Sequence, residues 1–104
     1  MSHWHDVIST DLIDEGGKMC VRVDDKPLVA MKVQGEWHVI EDVCPHAGLP
    51  LGEGELQGRV LTCPYHGFCY DVVSGRNVDD PDDVPVKRYP CRVEGETLQA
   101  DLEE

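Results

Sequence analysis

The chain has 104 residues, a length that fits one domain with a modest hydrophobic core. Its 21 acidic residues against nine lysines and arginines give a formal net charge of −12. This charge argues against binding to nucleic acid or to anionic membrane surfaces, because both need basic residues. It fits docking to a basic surface of a partner protein, and it fits plain solubility equally well.

No apolar run is long enough to span a bilayer, and the N-terminal segment MSHWHDVIST lacks the basic start and apolar stretch of a secretory signal. The cysteines number five, and an odd count favours metal ligation or free thiols over a disulfide framework. We therefore expect a cytoplasmic protein, and nothing in the sequence requires more than a monomer.

Apolar and polar residues alternate along most of the chain, at the period of two that is typical of strands. A helical turn, ended by two glycines, is predicted first within STDLIDEGG at 9–17. The predicted strands then cover 19–23, 29–33, 37–39, 60–62, 68–72, 89–93 and 98–102. Turns are predicted at Asp24-Asp25, Gln34-Gly35, Ser74-Gly75 and Glu94-Gly95. The expected fold class is all-β, closed as a sandwich or a small barrel.

Two segments between predicted strands, CPHAGL at 44–49 and CPYHGF at 63–68, are near-copies of one another. Each begins with Cys-Pro, has a His two or three residues after the Cys, and continues with Gly. Cys44, His46, Cys63 and His66 supply two thiolates and two imidazoles, which make a set of four metal ligands. Zinc binds such a set readily, so a structural zinc-binding module is one interpretation.

Several features of these segments favour iron and sulfide over zinc. Pro45 and Pro64 stiffen the two loops, and Gly48 and Gly67 remove side-chain bulk where the backbone must approach a cluster closely. Each segment also supplies one Cys and one His. A two-iron cluster needs this set when thiolates hold one iron and imidazoles hold the other. Measured iron and acid-labile sulfide would separate the two interpretations.

The double motif resembles the signature of Rieske [2Fe–2S] proteins. It combines C-P-H-A-G-x-P-L with C-P-Y-H-G-F-x-Y-D, and positions 47–62 separate the first His from the second Cys. The likeness continues in LGEGELQGRVL, D-x-x-S-G-R and VKRYPCRVEGE, and extends from about Met19 to Leu102. The resemblance implies a single Rieske domain over 1–104, with an antiparallel β base and a small cluster-binding subdomain spanning about 43–72. It also implies that Cys44 and Cys63 bind one iron, and that His46 and His66 bind the other.

The resemblance is to the low-potential branch of this family. Respiratory Rieske proteins have a disulfide between their two loops and a serine that donates to a sulfide. The matching positions here are Leu49, Tyr65 and Phe68, whereas Tyr70 matches the second hydroxyl donor of the family. Fewer donors leave more negative charge on the sulfurs, so we predict a reduction potential of about −150 mV, the low end of the Rieske range.

Small acidic proteins of this type are similar to the ferredoxins of bacterial multicomponent oxygenases, which carry single electrons and are not enzymes themselves. The resemblance implies an NAD(P)H-dependent flavoprotein reductase as the donor and a terminal oxygenase as the acceptor. The small subunit of NAD(P)H-dependent nitrite reductase, with the large subunit of that enzyme as its partner, is the alternative. A Rieske domain that senses redox state is a third possibility.

The acidic stretch VDDPDDVP at 78–85 occupies the place of the family's proline loop, which covers the cluster. Its four aspartates are interpreted either as a docking patch for a basic partner or as a solvated loop. The segment Leu49-Pro50-Leu51 is expected to shield the cluster from water.

The remaining cysteines, tryptophans and histidines are expected to have structural roles. Cys20 and Cys69 are predicted to be small buried hydrophobes in strands, and Trp4 and Trp37 to be core anchors. No role is predicted for Cys91. Three histidines without a cysteine at ligand spacing are expected at the surface: His3, His5 and His38.

Overall fold

The structure, a computed structural model, describes residues 3–45, 48–65 and 67–102. In these residues the chain forms β-strands and one short 3-10 turn, Thr10–Leu12. The strands are β1 (Trp4–Ser9), β2 (Lys18–Val23), β3 (Lys26–Val33), β4 (Glu36–Glu41), β5 (Glu55–Gln57), β6 (Val60–Thr62), β7 (Cys69–Asp71), β8 (Arg88–Tyr89), β9 (Cys91–Glu94) and β10 (Thr97–Asp101). They pair antiparallel in three sheets, with the orders β1-β10-β9, β2-β3-β4-β8 and β5-β6-β7. The all-β prediction is confirmed.

The strands β2, β3 and β4 form a meander whose two tight turns were both predicted from the sequence. Asp24 and Asp25 have φ values of 49° and 66°, and Gln34 and Gly35 have φ values of 53° and 79°. Two consecutive left-handed residues give the turn the twist that the flanking strands require. The turns therefore fix the register of the largest sheet, on which the rest of the molecule packs.

Strand β3 lies between the two hydrophobic cores of the molecule. Its run Leu28, Val29, Ala30 and Met31 has no solvent exposure. Leu28 and Ala30 belong to a core shared with β10, whereas Val29 and Met31 belong to a second core shared with β6 and β7. A strand that is buried on both faces needs a continuous apolar run. For this reason apolar and polar residues do not alternate over 28–31.

The second core carries the part of the chain that contains the two Cys-Pro segments. Leu61 of β6 and Tyr70 of β7 are fully buried in it, together with Cys44 and Cys63. The sheet β5-β6-β7 and the loops beside it therefore rest on one face of the β2-β3-β4-β8 sheet. The other face of that sheet packs against β1 and β10.

Two strands were not predicted because their sequences lack alternation, and the single strand predicted at 89–93 is instead two strands, β8 and β9, in different sheets. β1 pairs with β10 through a register shift between Asp6 and Ile8, and Val7 is the residue of this strand that is buried. β5 has three residues with one apolar side chain, Leu56. The helical turn after β1 is confirmed in its shortest form, with the Ser9 hydroxyl accepting from the Asp11 amide at 3.4 Å.

Three expectations about burial are wrong. Cys20 is exposed, because β2 lies at an edge of its sheet. Trp4 is only half-buried, whereas Trp37 is half-buried but packs against the core shared with β10, as expected. His38 is buried with 7% exposure, because its position on β4 lies directly opposite the fully buried Met31 of β3.

The rings of the two half-buried tryptophans are partly covered by basic side chains. The Arg92 guanidinium lies 4.3 Å from the centre of the Trp4 ring, and the Lys32 ammonium lies 5.6 Å from the centre of the Trp37 ring. Within the described ranges, no helix is long and apolar enough to cross a membrane.

Candidate metal centre

The two near-copies in the sequence are also near-copies in backbone structure. The Cys44 amide donates to the Leu49 carbonyl at 2.9 Å, and the Gly48 amide donates to the Cys44 carbonyl at 2.8 Å. In the second segment the Cys63 amide donates to the carbonyl of Phe68 at 2.7 Å, and the Gly67 amide donates to the Cys63 carbonyl at 3.0 Å. The two loops thus present equivalent cysteines from the same hydrogen-bonded turn.

Glycine is needed in both turns for a reason of backbone geometry. Gly48 and Gly67 have φ values of 68° and 72°, a left-handed conformation that residues with a side chain rarely adopt. Both lie exposed at the ends of their loops, where a Cβ would meet nothing within 4 Å. The spacing between Cys and Gly is the same in the two loops because both loops form the same turn.

Both cysteines of the predicted ligand set point into the second core. Cys44 and Cys63 have no solvent exposure, although they lie in loops. All five cysteines are in the described part of the chain, and no disulfide joins them. Soft sulfur donors on two rigid loops suit iron–sulfur ligation. The other two predicted ligands, His46 and His66, lie outside the described residues.

Tyr70 places a hydroxyl group beside the first cysteine. Its side chain is fully buried, and its Oη lies 4.0 Å from the Cys44 Sγ. Burial, followed by the negative charge of the Cys44 thiolate, raises the pKa of the Tyr70 phenol far above its ordinary value. The phenol therefore keeps its proton and can donate it toward sulfur, as the resemblance implied.

A third segment, the acidic loop 78–85, begins next to this tyrosine. Asn77 forms a single antiparallel bridge with Tyr70, and the Val78 amide donates to the Cys69 carbonyl at 2.8 Å. Asn77 is itself buried, and its Oδ1 accepts from the amides of Asp79 and Asp80 at 2.9 and 3.2 Å. Asn77 was not predicted from the sequence, although Asn side chains commonly accept from the backbone amide two residues further on.

The acidic loop also encloses a surface pocket of about 340 Å³. It is lined by Ser74, Arg76, Pro81, Asp82, Asp83 and Pro85. Arg76 Nη1 donates to the Pro81 carbonyl at 3.2 Å, which holds the loop from the inside. The aspartates 79, 80 and 82 are exposed and Asp83 is half-buried.

The predicted shield of the cluster divides into one buried and two exposed residues. Leu51 is fully buried in the second core, whereas Leu49 is 41% exposed and Pro50 is also exposed.

Tyr65, next to the second predicted His ligand, is 42% exposed. Cys69 is half-buried, with its Sγ 3.5 Å from the Thr62 hydroxyl and 3.5 Å from the Gly67 carbonyl. It contributes no side chain to the core that holds Cys44 and Cys63.

Comparison with known protein families identifies the family of this chain. Residues 3–90 match the profile of the Rieske [2Fe-2S] domain. The chain belongs to the Rieske family. The Rieske protein therefore carries one [2Fe–2S] cluster of this type, and the zinc interpretation is set aside. Buried sulfur donors at Cys44 and Cys63 fit the thiolate half of such a centre.

Relatives of this Rieske protein are ferredoxin components of dioxygenase systems. It is 33% identical over 99 residues to the ferredoxin component of a naphthalene 1,2-dioxygenase system from Pseudomonas aeruginosa, covering 95% of each chain. It is 28% identical to a chain in the complex of reduced oxygenase and oxidized ferredoxin in carbazole 1,9a-dioxygenase, with a TM-score of 0.85, covering 97% of this chain and 94% of that one. The Sphingomonas yanoikuyae B1 ferredoxin is 25% identical, with a TM-score of 0.86 and coverage of 95% and 98%. These relatives give no support to the nitrite reductase alternative.

Proposed function

We propose that this Rieske protein carries single electrons from an NAD(P)H-dependent flavoprotein reductase to a terminal oxygenase. The observation that supports this most strongly is the likeness, along nearly the whole chain, to ferredoxin components of dioxygenase systems. The complex of oxygenase and ferredoxin in carbazole 1,9a-dioxygenase also supports an oxygenase as the acceptor. Because NAD(P)H is the ultimate donor, we place the protein in the cytoplasm.

We further propose that Cys44 and Cys63 ligate one iron and that His46 and His66 ligate the other. The equivalent turns of the two loops and the burial of both cysteines support the thiolate half of this set. The whole chain would act as one Rieske domain, with its cluster-binding part spanning about 43–72. When bound, the cluster supplies reversible uptake of one electron, with no bond made or broken in a substrate.

The residues around the centre exclude water and place a hydroxyl group near sulfur. The buried residues Leu51 and Leu61 exclude water from the core beneath the loops. The Tyr70 hydroxyl can donate toward the Cys44 sulfur, and such a donor stabilises the reduced cluster because that state is more negative. No residue of the chain is assigned to substrate binding or catalysis, since ferredoxin components serve a separate oxygenase. The potential of about −150 mV that the sequence predicts suits a donor of this type.

Low-temperature EPR and visible absorption of the purified holoprotein, before and after dithionite, test the ligand proposal. We expect a red-brown protein that becomes paramagnetic on reduction, with the low average g-value of mixed Cys and His ligation. Replacing His46 or His66 with Cys should lower the midpoint potential or abolish the cluster, because a thiolate adds negative charge. Cys69→Ser is the matched control, since Cys69 lies near the site but outside the ligand set, and it should keep the wild-type spectrum.

Two results would contradict the proposed function. A spectrum that is unchanged by replacing either histidine would exclude that residue as a ligand. A strongly positive midpoint potential in the wild-type protein would make reduction of a terminal oxygenase unfavourable, and would exclude the assigned place between reductase and oxygenase.

A further inference from the structure

Gly52, which follows the first Cys-Pro loop, is held at both its amide and its carbonyl by charged side chains. Its N–H donates to the Asp42 carboxylate at 2.6 Å, and its C=O accepts from the Lys18 ammonium at 2.6 Å. Both contacts are partly buried. Hydrogen bonds to ionised groups are stronger than those between neutral groups, and these two act on the same residue.

Gly52 fits this position because its backbone is seated directly on the base of the molecule. A Cβ at this residue would meet the Cys20 Sγ and the Val29 Cγ2 at 2.5 and 2.8 Å, and the Asp42 Oδ1 at 3.2 Å. Cys20 belongs to β2 and Val29 to β3. The chain after the first loop is thus pressed against the largest sheet, with no room for a side chain between them.

The two contacts close the first loop at its base and join it to that sheet. Asp42 lies two residues before Cys44, and Gly52 follows Leu51, so their hydrogen bond spans the whole loop. Lys18 is the first residue of β2 and brings the base sheet into the same contact. Inside this closure lies the turn in which the Cys44 amide donates to the Leu49 carbonyl.

The next residue extends the connection to the second loop. The Tyr65 hydroxyl donates to the Glu53 carboxylate at 2.6 Å, across the surface between the two loops. Residues 52 and 53 therefore contact the base sheet, the first loop and the second loop at once. The local sequence motifs predict none of these contacts, because the residues involved are separated by up to 34 positions.

We propose that Asp42 and Lys18 are positioning residues of the redox centre, which clamp Gly52 and thereby fix the loop that carries Cys44 over the base sheet. This rests on the proposed function, in which Cys44 is a cluster ligand. Neither residue is a ligand itself. Their effect reaches the centre through the backbone, so it should change both the retention and the electronic environment of the cluster.

The test compares holoprotein variants that differ in the clamp but match in charge. Lys18→Met removes the ammonium that binds the Gly52 carbonyl. Lys26→Met is its control, because Lys26 makes the same type of contact, to the Leu102 carbonyl at 3.0 Å, in the base of the molecule. Asp42→Ala removes the acceptor for the Gly52 amide, whereas Asp42→Asn removes the charge and keeps an oxygen that can accept.

The measurements are the rate of cluster loss under a chelator, the EPR line shape after dithionite, and the midpoint potential. We expect Lys18→Met and Asp42→Ala to lose the cluster about tenfold faster than wild type, a typical effect of removing a partner behind a ligand. Their EPR lines should broaden. Lys26→Met and Asp42→Asn should keep the wild-type rate and line shape, with Asn restoring what Ala removes.

Each alternative result would overturn the positioning role. If Lys18→Met and Lys26→Met behave alike, the contact at the Gly52 carbonyl does not position the loop. If Asp42→Ala and Asp42→Asn shift the potential equally and leave the rate of cluster loss unchanged, Asp42 acts by charge alone. Should Asp42→Ala fail to fold, the lysine pair still tests the clamp. Failure of the ligand assignment is seen separately, in the spectrum of the wild-type protein.

Discussion

Tyr70 places a hydroxyl group beside the first predicted cysteine ligand. Its hydroxyl lies 4.0 Å from the Cys44 sulfur within a fully buried site. Tyr70→Phe removes the hydroxyl and keeps the ring, so the reduced state loses a donor near its extra negative charge. We expect the midpoint potential to fall by up to about 40 mV, which corresponds to about 1 kcal/mol for one electron.

Tyr89→Phe is the control for this change. Tyr89 is buried in the other core, where its hydroxyl lies 3.5 Å from a Glu41 carboxylate oxygen. Protein-film voltammetry of the two variants should show a lower potential for Tyr70→Phe and the wild-type potential for Tyr89→Phe. Equal potentials in both variants would mean that the Tyr70 hydroxyl does not act on the sulfur.

His38 is expected to make the stability of the protein sensitive to mild acid. Its Nε2 is buried, has no hydrogen-bond partner among the described residues, and lies 4.0 Å from the Glu36 carboxylate. Burial, followed by the nearby positive charge of Arg88, lowers the pKa of His38. Arg59 also lowers this pKa and Asp71 raises it, as Glu36 does, and both effects are smaller than that of burial.

The direction of the pH effect follows from this lowered pKa. The unfolded chain takes up a proton at His38 near its ordinary pKa of about 6.5, while the folded protein still keeps the imidazole neutral. Protonation of His38 therefore has little effect on the free energy of unfolding above about pH 6.5. Below that pH the free energy of unfolding declines, with a slope of at most about 1.4 kcal/mol per pH unit. Urea unfolding of the holoprotein between pH 7.5 and 5 should show this decline, and His38→Gln should reduce it. Identical pH profiles would exclude His38 as its source.

Among the elements, the sequence predicted strands where apolar residues recur at every second position, and turns whose residues need a left-handed backbone. It predicted the paired Cys-Pro loops, because their glycines and prolines constrain the backbone locally. It did not predict β1 or β5, whose few apolar residues do not alternate. It also missed His38, since alternation alone does not show that its position on β4 faces the second core. The clamp at Gly52 depends on contacts between distant segments, which no local pattern reports.

Gly54 tests how closely the segment after the first loop must approach the second. A Cβ at this residue would overlap the Thr62 carbonyl and lie 3.2 Å from the Pro64 Cδ, on either side of Cys63. Gly54→Ala must therefore displace backbone at the second loop, and we expect a loss of about 3 kcal/mol in the free energy of unfolding.

Gly58→Ala is the matched control, because Gly58 has a φ of 60° and nothing within 4 Å of its Cβ position. Its cost should be limited to the left-handed backbone, about 1 kcal/mol. Chemical denaturation and the EPR line shape should separate the two variants, with the spectrum altered in Gly54→Ala alone. Equal stabilities and unchanged spectra would show that the close approach at Gly54 is relieved without moving the second loop.

At the scale of the whole molecule, a formal charge of −12 predicts that encounters with a basic partner slow down as salt is added. The acidic loop concentrates four aspartates within the five residues 79–83, and hydrogen bonds hold part of its backbone. The Asp79 and Asp80 amides are fixed by Asn77, and the Asp82 amide donates to the Asp80 carboxylate at 3.3 Å. An ordered patch loses less conformational freedom on docking than a mobile one.

Replacing Asp79, Asp80, Asp82 and Asp83 together with Asn should therefore slow reduction by a flavoprotein reductase about tenfold at an ionic strength of about 0.01 M, where screening is weak. The difference from wild type should vanish at high salt. A second variant neutralises four exposed acids of the base, Asp11, Asp14, Glu94 and Glu96, and changes the net charge equally. Stopped-flow rates that fall only in the loop variant would locate docking at the acidic loop. Equal slowing would assign the effect to net charge, and unchanged rates in both would leave the four aspartates as a solvated loop.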